Sequence, residues 1–358
     1  MEAGEQEADS ITSTGTYGTA KAPFCRLKAR KDTLMTMVGN LQVRSRPAKW
    51  LNSPVQSFEC RLPDIFEYLP EFERRTMAVQ DANGTRSWVN PRLDTIVRKP
   101  HREDPDYVPV GVVSKGYVLV PHKDVLRSAA AAFAGVNLDP GGIRTELTIT
   151  EYGERMHASL FFPDRFSFKA GDGYPLTLRL ELFNSVDGST QFRALMGWFR
   201  FVCSNGLIIG VTESDLCHRH AGNLGVAGIA DVIHWGLGDA DRDTENLRKL
   251  RDQKVNIDSL PPWVNGPVKK AWGFKAAARA YHIACSGHDV EIAEKYKGRT
   301  PSTIGVTRTR RVPGCSEKAD NAYDVSQVLS WLASHRRDVQ EQLQWRQEIL
   351  SLMDALLN

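Results

Sequence analysis

The sequence predicts an α+β fold: a mostly antiparallel β-sheet core with flanking helices and a helical C-terminal part. Three observations carry that prediction. Between residues 107 and 211 apolar and β-branched runs follow one another with turn residues between them and one helical segment among them, the order of an antiparallel sheet. A doubly wound nucleotide-binding fold needs a helix after each strand and a glycine-rich phosphate loop, and the sequence has neither. After about residue 240 the pattern changes to charged and amphipathic segments of helical period.

The elements follow in order. Residues 1–20 hold Glu2, Glu5, Glu7 and Asp9 and then a Ser/Thr/Gly stretch, which predicts a disordered tail. Residues 26–50 are basic and follow no helical or strand period, and residues 80–106, rich in Asn, Arg, Pro and Asp, read as loop. The Val-rich run 107–121 suggests two short strands or a hairpin about a Ser-Lys-Gly turn. Residues 122–135 are Ala-rich with apolar residues at helical spacing and end at Gly135. Two strands around a Tyr-Gly-Glu turn account for 145–163, where Leu147 and Ile149 alternate with polar neighbours. Leu176, Leu178, Leu180 and Leu182 alternate with Thr177, Arg179 and Glu181, the pattern of a half-buried strand. The Asp-Gly step within 185–190 turns the chain into a returning strand over 191–211, paired with 175–184. Helices are predicted near 239–255 and 267–287, followed by a basic Pro/Gly-containing loop at 298–320. One or two long helices then run to 357, with an apolar face that includes Val325, Val328, Leu332, Val339, Leu343 and Leu350.

With 358 residues the chain has room for one large domain or two smaller ones. The organisation expected is a tail at 1–20, an α+β core at 21–238 and a helical region at 239–358. Six scattered cysteines form no CxxC pair, and no apolar run follows a basic start or reaches the length of a membrane span. Free thiols, a cytoplasmic location and no membrane contact are therefore expected. A net charge of +3 is too small to imply a nucleic-acid partner, so only local clusters of charge can argue for one.

One stretch is specific. FNSVDGSTQFRALMGWFRFVCSNGL, residues 183–207, resembles the central signature of the phage/plasmid-like protein family of unknown function. That signature is an Asn-Ser-x-Asp-Gly-Ser step, a strand ending in Arg-x-Val-Cys-x-Asn, and a basic His-containing segment soon after. Here it falls on Asn184, Ser185, Asp187, Gly188 and Ser189, on Arg200, Val202, Cys203 and Asn205, and on His218, Arg219 and His220. The Val-Gly segment 110–117, with Gly116 and Tyr117, and NAYDVSQVLSWLASH at 321–335 are similar to the family's upstream strand and C-terminal helix. The resemblance covers about residues 100–340. It implies a mobile-element setting beside DNA replication and recombination genes and no established activity. A likeness to ring-forming single-strand annealing proteins is fold-level analogy.

Each constellation has a plainer reading beside it. Cys203, Cys217, His218 and His220 are the residue types of a zinc site, but adjacent Cys217 and His218 on a strand face opposite ways, so no metal and no cofactor is assigned. Asn184, Asp187, Gly188 and Ser189 make either a ligand-binding turn or a plain hairpin turn. Asp187, Ser189 and His218 are the types of a nucleophilic triad without its Gly-x-Ser-x-Gly elbow. Arg98, Lys99 and Arg102, and Arg308, Arg310 and Arg311 in the 298–320 loop, suit phosphate contacts. Strand aromatics Phe161, Phe162, Phe166, Trp198, Phe199 and Phe201 either stack bases or form core. The expectation is a non-catalytic, oligomeric protein that binds single-stranded DNA. The alternatives are a metal-dependent enzyme acting on nucleic acid and a factor that binds a host protein through its C-terminal helices.

Overall fold

The computed structural model describes residues 26–28, 34–38, 41–45, 50, 53–102, 104–169, 175–200, 216–221, 225–298 and 300–358. The strands are β1 (Arg26–Lys28), β2 (Leu34–Val38), β3 (Leu41–Ser45), β4 (Val55–Arg61), β5 (Phe72–Gln80), β6 (Ser87–Arg98), β7 (Val108–Ser114), β8 (Arg144–Thr150), β9 (Arg155–Phe161), β10 (Ser167–Lys169), β11 (Pro175–Ser185), β12 (Phe192–Arg200), β13 (Leu216–His218), β14 (His288–Lys297) and β15 (Thr300–Arg311). The α-helices are α1 (His122–Gly135), α2 (Gly228–Asp252), the short α3 (Leu260–Trp263), α4 (Lys269–Ser286), α5 (Ala322–Ser334) and α6 (Val339–Leu357).

An eight-stranded sheet of order β1-β4-β8-β9-β11-β12-β13, with β10 added beside β11, is the frame. Its pairings are antiparallel, and β11 and β12 pair across the 185–190 turn with Leu180 opposite Met196. The leucines of β11 are almost wholly buried. They share one apolar cluster with Ala158 and Leu160 of β9, Trp198 of β12, Val125, Leu126 and Phe133 of α1, Ile229 and Ile233 of α2, and Val328 and Leu332 of α5. Helical spacing of three and four places those residues on one side of each helix. Gly236 lets α2 close on the sheet, since a Cβ there would lie 2.5 Å from the sulfur of Met196.

The opposite face of the sheet is also covered. Trp50, Phe183, Leu195 and Phe199 pack there with Val339 and Leu343 of α6. The strand read as half-buried is therefore buried on both sides, because α6 returns across it. The expected boundary at 238/239 falls inside α2, and the large apolar cluster includes residues from both sides of it.

Two smaller antiparallel units flank this frame: the three-stranded sheet β5-β6-β7 and the hairpin β14–β15. Both correct the sequence reading. Residues 87–98, expected as loop, are β6. Asn90 and Pro91 hide the alternation, and they fall where the β5–β6 register shifts, a place that tolerates proline. The basic loop expected at 298–320 is in large part strand β15. Its Thr303, Ile304, Val306, Thr307 and Thr309 favour the extended chain over the Pro301 and Gly305 that suggested loop. Residues 107–121 give one strand, β7, and then a turn that leads to a single bridge between Tyr117 and Ala221. Short strands also occur at β1, β2 and β3, where no period was read. The tail expected at 1–20 lies outside the described residues.

Candidate functional site

The resembled signature forms a buttressed turn where the three-stranded sheet meets the main sheet. Val186 packs with Phe72, Ile96 and Val113, so the tip of the β11–β12 hairpin is anchored in apolar contacts. Ser185 closes the turn on itself: its hydroxyl donates to the Thr190 carbonyl at 2.9 Å, and the Thr190 amide donates back at 3.1 Å. Asp187 accepts from the Ser189 amide at 3.0 Å and from the Ser189 hydroxyl at 2.6 Å. Its second oxygen accepts from Nε of Arg155 at 3.1 Å. Gly188 sits at φ 77°, the left-handed region that glycine enters without strain. Gly111 of β7 passes so close that a Cβ there would lie 2.7 Å from Cα of Asp187.

Asn184, one residue inside the strand, is fully buried. Its Nδ2 donates to the Val120 carbonyl and to Nδ1 of His122, both at 2.9 Å. Nε2 of His122 lies 2.8 Å from the Gly153 carbonyl, which can only accept, so the ring proton is on Nε2. Burial pushes His122 down to about 4. Tyr117 donates its phenol to the Ser185 carbonyl at 3.0 Å, and burial followed by the nearby Asp187 carboxylate pushes that phenol well above its usual range. His220 stacks on Tyr117 with ring centroids 5.0 Å apart and is likewise pushed down by burial. Between the turn at 188–191, Tyr117, Arg219 and His220 lies an open cavity of about 280 Å³.

Asn184, Asp187, Gly188, Ser189 and His220 are thus brought together, and the first four are engaged mainly in holding the turn. His218 is exposed at the end of β13, opposite Phe192. Arg200 ends β12, and Cys203 and Asn205 lie outside the described residues. Cys217 donates to Oε1 of Gln191 at 3.1 Å, while Nδ1 of His220 is directed to the Val118 carbonyl at 3.1 Å. Ser189 is occupied by Asp187, so of the residues suggested for a metal or a triad Asp187, Ser189, Cys217 and His220 have other partners.

The basic residues divide. Arg98 is buried and ion-paired with Asp104, Lys99 lies 3.8 Å from Glu71, and Arg102 covers the Tyr68 ring at 4.0 Å. These three are structural contacts. Arg308 and Arg311 are exposed on β15, where Arg308 reaches His288 at 2.6 Å and Arg311 lies 3.4 Å from Glu317. Arg310 is in the same strand. The strand aromatics Phe161, Phe162, Trp198 and Phe199 are buried, which removes them as stacking platforms. Phe166 is half-buried against Phe162, and Phe201 lies outside the described residues.

Sequence reasoning missed two features. The first is a buried charge network on the α6 side of the sheet. Glu181, 1% exposed, is ion-paired with Arg179, accepts from Nη1 of Arg346 at 2.9 Å and has Nε2 of His157 3.6 Å away. Burial opposes ionisation there, but Arg179 and Arg346 outweigh it and hold the carboxyl far below its usual range. Arg144 of β8 bridges Glu59 of the adjacent β4 at 3.1 Å and Glu146 of its own strand at 3.0 Å. Phe183, two residues from Glu181 and thus on the same face, was the available signal that this face is covered. The second is a set of exposed aromatic and basic residues on the β5–β6–β7 sheet, with Trp88 at the β5–β6 turn and Tyr107 before β7 at the other end. Trp88 is 56% and Tyr107 50% exposed. Arg86 and Arg92 are exposed beside Trp88 in sequence, and the guanidinium of Arg75 lies 4.4 Å from the Tyr107 ring centroid.

Fold and site together define an α+β protein with a buttressed hairpin tip, a polar cavity beside it and two basic ribbons. The chain belongs to the family described as Domain of unknown function (DUF932), whose family model matches residues 109–309. It is 32% identical over 90 residues to UPF0380 protein YfjQ and, over the same length at the same identity, to UPF0380 protein YafZ, both of Escherichia coli (strain K12). That segment is 25% of this chain and 31% of each relative, so the chain spans about a third of the length of the curated relatives it matches. No solved structure matches the chain. No helix among the described residues is long and apolar enough to cross a membrane.

Proposed function

We propose that the protein binds single-stranded DNA through its exposed β-ribbons, as a non-catalytic, annealing-like and oligomeric factor of mobile-element DNA metabolism. The observation that carries this reading is the β5–β6–β7 sheet, where Trp88 is exposed near Arg86 at the β5–β6 turn and Tyr107, just before β7 at the other end of the sheet, is exposed against Arg75. Single strands are held by this combination: every base has a face to stack on an aromatic ring, and guanidinium groups follow the backbone. The β14–β15 hairpin supports it with Arg308 and Arg311, beside Ile304 and Val306, each 49% exposed. β5 and β7 are the outer strands of their sheet, edges to which a second copy can add.

Fluorescence anisotropy with labelled oligo-dT at low salt tests the reading. Stacking is worth about 1–3 kcal/mol per base, so Trp88→Ala is expected to weaken binding by about tenfold at an unchanged melting temperature. No binding at low salt, or an unaltered affinity in Trp88→Ala, would overturn it. Light scattering with and without the oligonucleotide reads the assembly, and a monomer in both conditions removes the oligomeric part of the proposal.

A further inference from the structure

One edge strand of this protein lacks the protection that exposed edges usually carry. In the β14–β15 hairpin each strand has the other as its one strand partner among the described residues. Natural edge strands are kept from pairing with other chains by charge, by proline or by a bulge. β5 has Glu73, Arg74 and Arg75 and a register shift after Thr76, β7 has Pro109, and β14 has Glu291, Glu294 and Lys295. The centre of β15 is different. Residues 303–307, Thr-Ile-Gly-Val-Thr, hold no charge and no proline, and they pair with residues 295–291 of β14 without a register shift. Ile304 and Val306 share one face of the hairpin, and each is 49% exposed. On that same face Glu294, opposite Ile304, is ion-paired with Lys275 of α4 at 3.1 Å. The helix α4 thus lies over β14, and the apolar pair on β15 stays exposed beside it.

We propose that a second copy of this chain pairs with β15 along this edge, antiparallel about a two-fold axis at Gly305, to make a continuous four-stranded ribbon. The strand is self-complementary in that register. With Gly305 opposite itself, Ile304 of each copy lies opposite Val306 of the other, and Thr303 lies opposite Thr307. Cross-strand pairs of β-branched residues stabilise a sheet. Arg308 and Arg310 fall opposite Ser302 and Thr300, so no two like charges meet. Neighbouring registers do less well. An axis at Val306 sets Ile304 against Arg308, an axis at Ile304 sets Val306 against Ser302, and an axis at Arg308 sets that arginine against itself. The α4 helices of the two copies lie over β14 and its counterpart, three strand spacings or roughly 14 Å apart. That clears the roughly 10 Å that one helix occupies and leaves a valley in which the four apolar side chains cover one another. Such an interface is isologous and closes at two copies. The inference shares with the proposed function only the premise that copies associate, and it needs no DNA.

Light scattering of the full chain without DNA, over a concentration series, is expected to show a dimer. Lysine is a natural protector of edges. Val306→Lys should therefore give a monomer over the same series, with the melting temperature unchanged because this side chain is exposed on the hairpin. Cross-linking reads the register. Gly305→Cys should form a covalent dimer under mild oxidation, well above the level of the parent chain with its own cysteines. A Cβ there would meet only the Ala293 carbonyl, at 3.9 Å, so the substitution fits the hairpin. Thr307→Cys alone should not cross-link. Residue 307 lies about four residues, roughly 13 Å, from its own counterpart, and a disulfide joins Cα atoms no more than about 7 Å apart. Adding Thr303→Cys should bring the cross-link back. A monomer throughout the series overturns the proposal. A dimer that survives Val306→Lys, or that gives no cross-link through Gly305→Cys, overturns it too, and the association in the proposed function then belongs to another edge. The effect of Trp88→Ala on DNA binding decides the proposed function and leaves this result as it is.

Discussion

Arginine does different work in two regions of this molecule. Between the sheet and α6, Arg179 and Arg346 converge on one buried carboxylate, with aromatic rings beneath their guanidinium groups: Phe199 lies 3.6 Å from Arg179 and 5.7 Å from Arg346. On the ribbons, Arg86, Arg92 and Arg308 stand in solvent. The first set is fixed by partners that folding supplies, and removing a partner leaves charge in a poorly solvated place. The second set contributes little to stability and keeps its donors available for a ligand. Sequence clustering does not separate the two, as Arg98 and Arg308 demonstrate: both sit in basic runs, yet one is buried against Asp104 and the other is exposed.

The largest expected effect breaks the interior set. Glu181→Gln keeps the shape of the side chain and removes the charge that Arg179 and Arg346 share. Breaking a buried pair from one side costs about 3–5 kcal/mol, and urea denaturation should read a loss of that size. A loss under about 1 kcal/mol would mean that the network is hydrated and that interior and ribbon arginines differ less than their burial suggests.

A second effect is pH-dependent and comes from His122. Folding lowers its value from the usual 6.5 to about 4, mainly through burial, so between those values the unfolded chain takes up a proton that the folded chain refuses. The stability tied to this residue is therefore complete above about pH 6.5 and is lost as the pH falls towards 4. At about 1.4 kcal/mol per pH unit the whole window is worth roughly 3 kcal/mol. His122→Phe should flatten the fall in stability between pH 6.5 and 4, measured by denaturant midpoints. An equally steep fall in the variant would move the cause to other groups, His220 among them.

At the hairpin tip the expected effect is smaller. Gly188→Ala puts a side chain at φ 77°, and the left-handed region costs an L-residue about 1–2 kcal/mol. Because the new Cβ would also lie 3.5 Å from the Tyr117 ring, ordinary contact distance, backbone strain rather than collision should account for the loss. A drop near 1–2 kcal/mol in denaturant midpoint experiments, with the near-ultraviolet signal of the aromatic residues kept, is the outcome that fits.

Much of the frame was legible in the sequence, for physical reasons that particular residues make clear. The period-2 leucines of β11, the Asp-Gly turn and the return in β12 follow from alternation, and α1 follows from apolar residues at three and four. The signature turn was legible as a turn because Asn, Asp, Ser and Gly act within a few residues of one another. What failed to show was long-range. The covering of the Arg179–Glu181 face depends on α6, whose Arg346 lies 165 residues from Glu181 along the chain. The partner of Asn184 is His122, 62 residues away, and nothing local to either residue announces the pair. Ribbons β6 and β15 were hidden by Pro91, Pro301 and Gly305, which break a local pattern without breaking the ladder.

The ribbon set gives the smallest expected effect on stability and the clearest one on binding. Arg308→Ala, Arg310→Ala and Arg311→Ala together remove three positive charges from β15. The contacts that Arg308 and Arg311 make, to His288 and Glu317, are through exposed side chains. Exposed pairs are worth about 0–1 kcal/mol, so the melting temperature should stay nearly where it is. Binding of oligo-dT should behave differently. Each phosphate contact releases counterions and adds about 0.7 to the slope of log affinity against log salt for single strands. Three lost contacts therefore flatten that slope by about two units, and the loss of affinity is greatest at low salt and shrinks as salt rises. If the slope stays the same while Trp88→Ala still weakens binding, the DNA runs along β5–β6 alone and the β15 arginines are ordinary solvated charges. If both stay the same, the ribbons do not bind DNA at all, and the contrast between fixed and available arginines describes stability only.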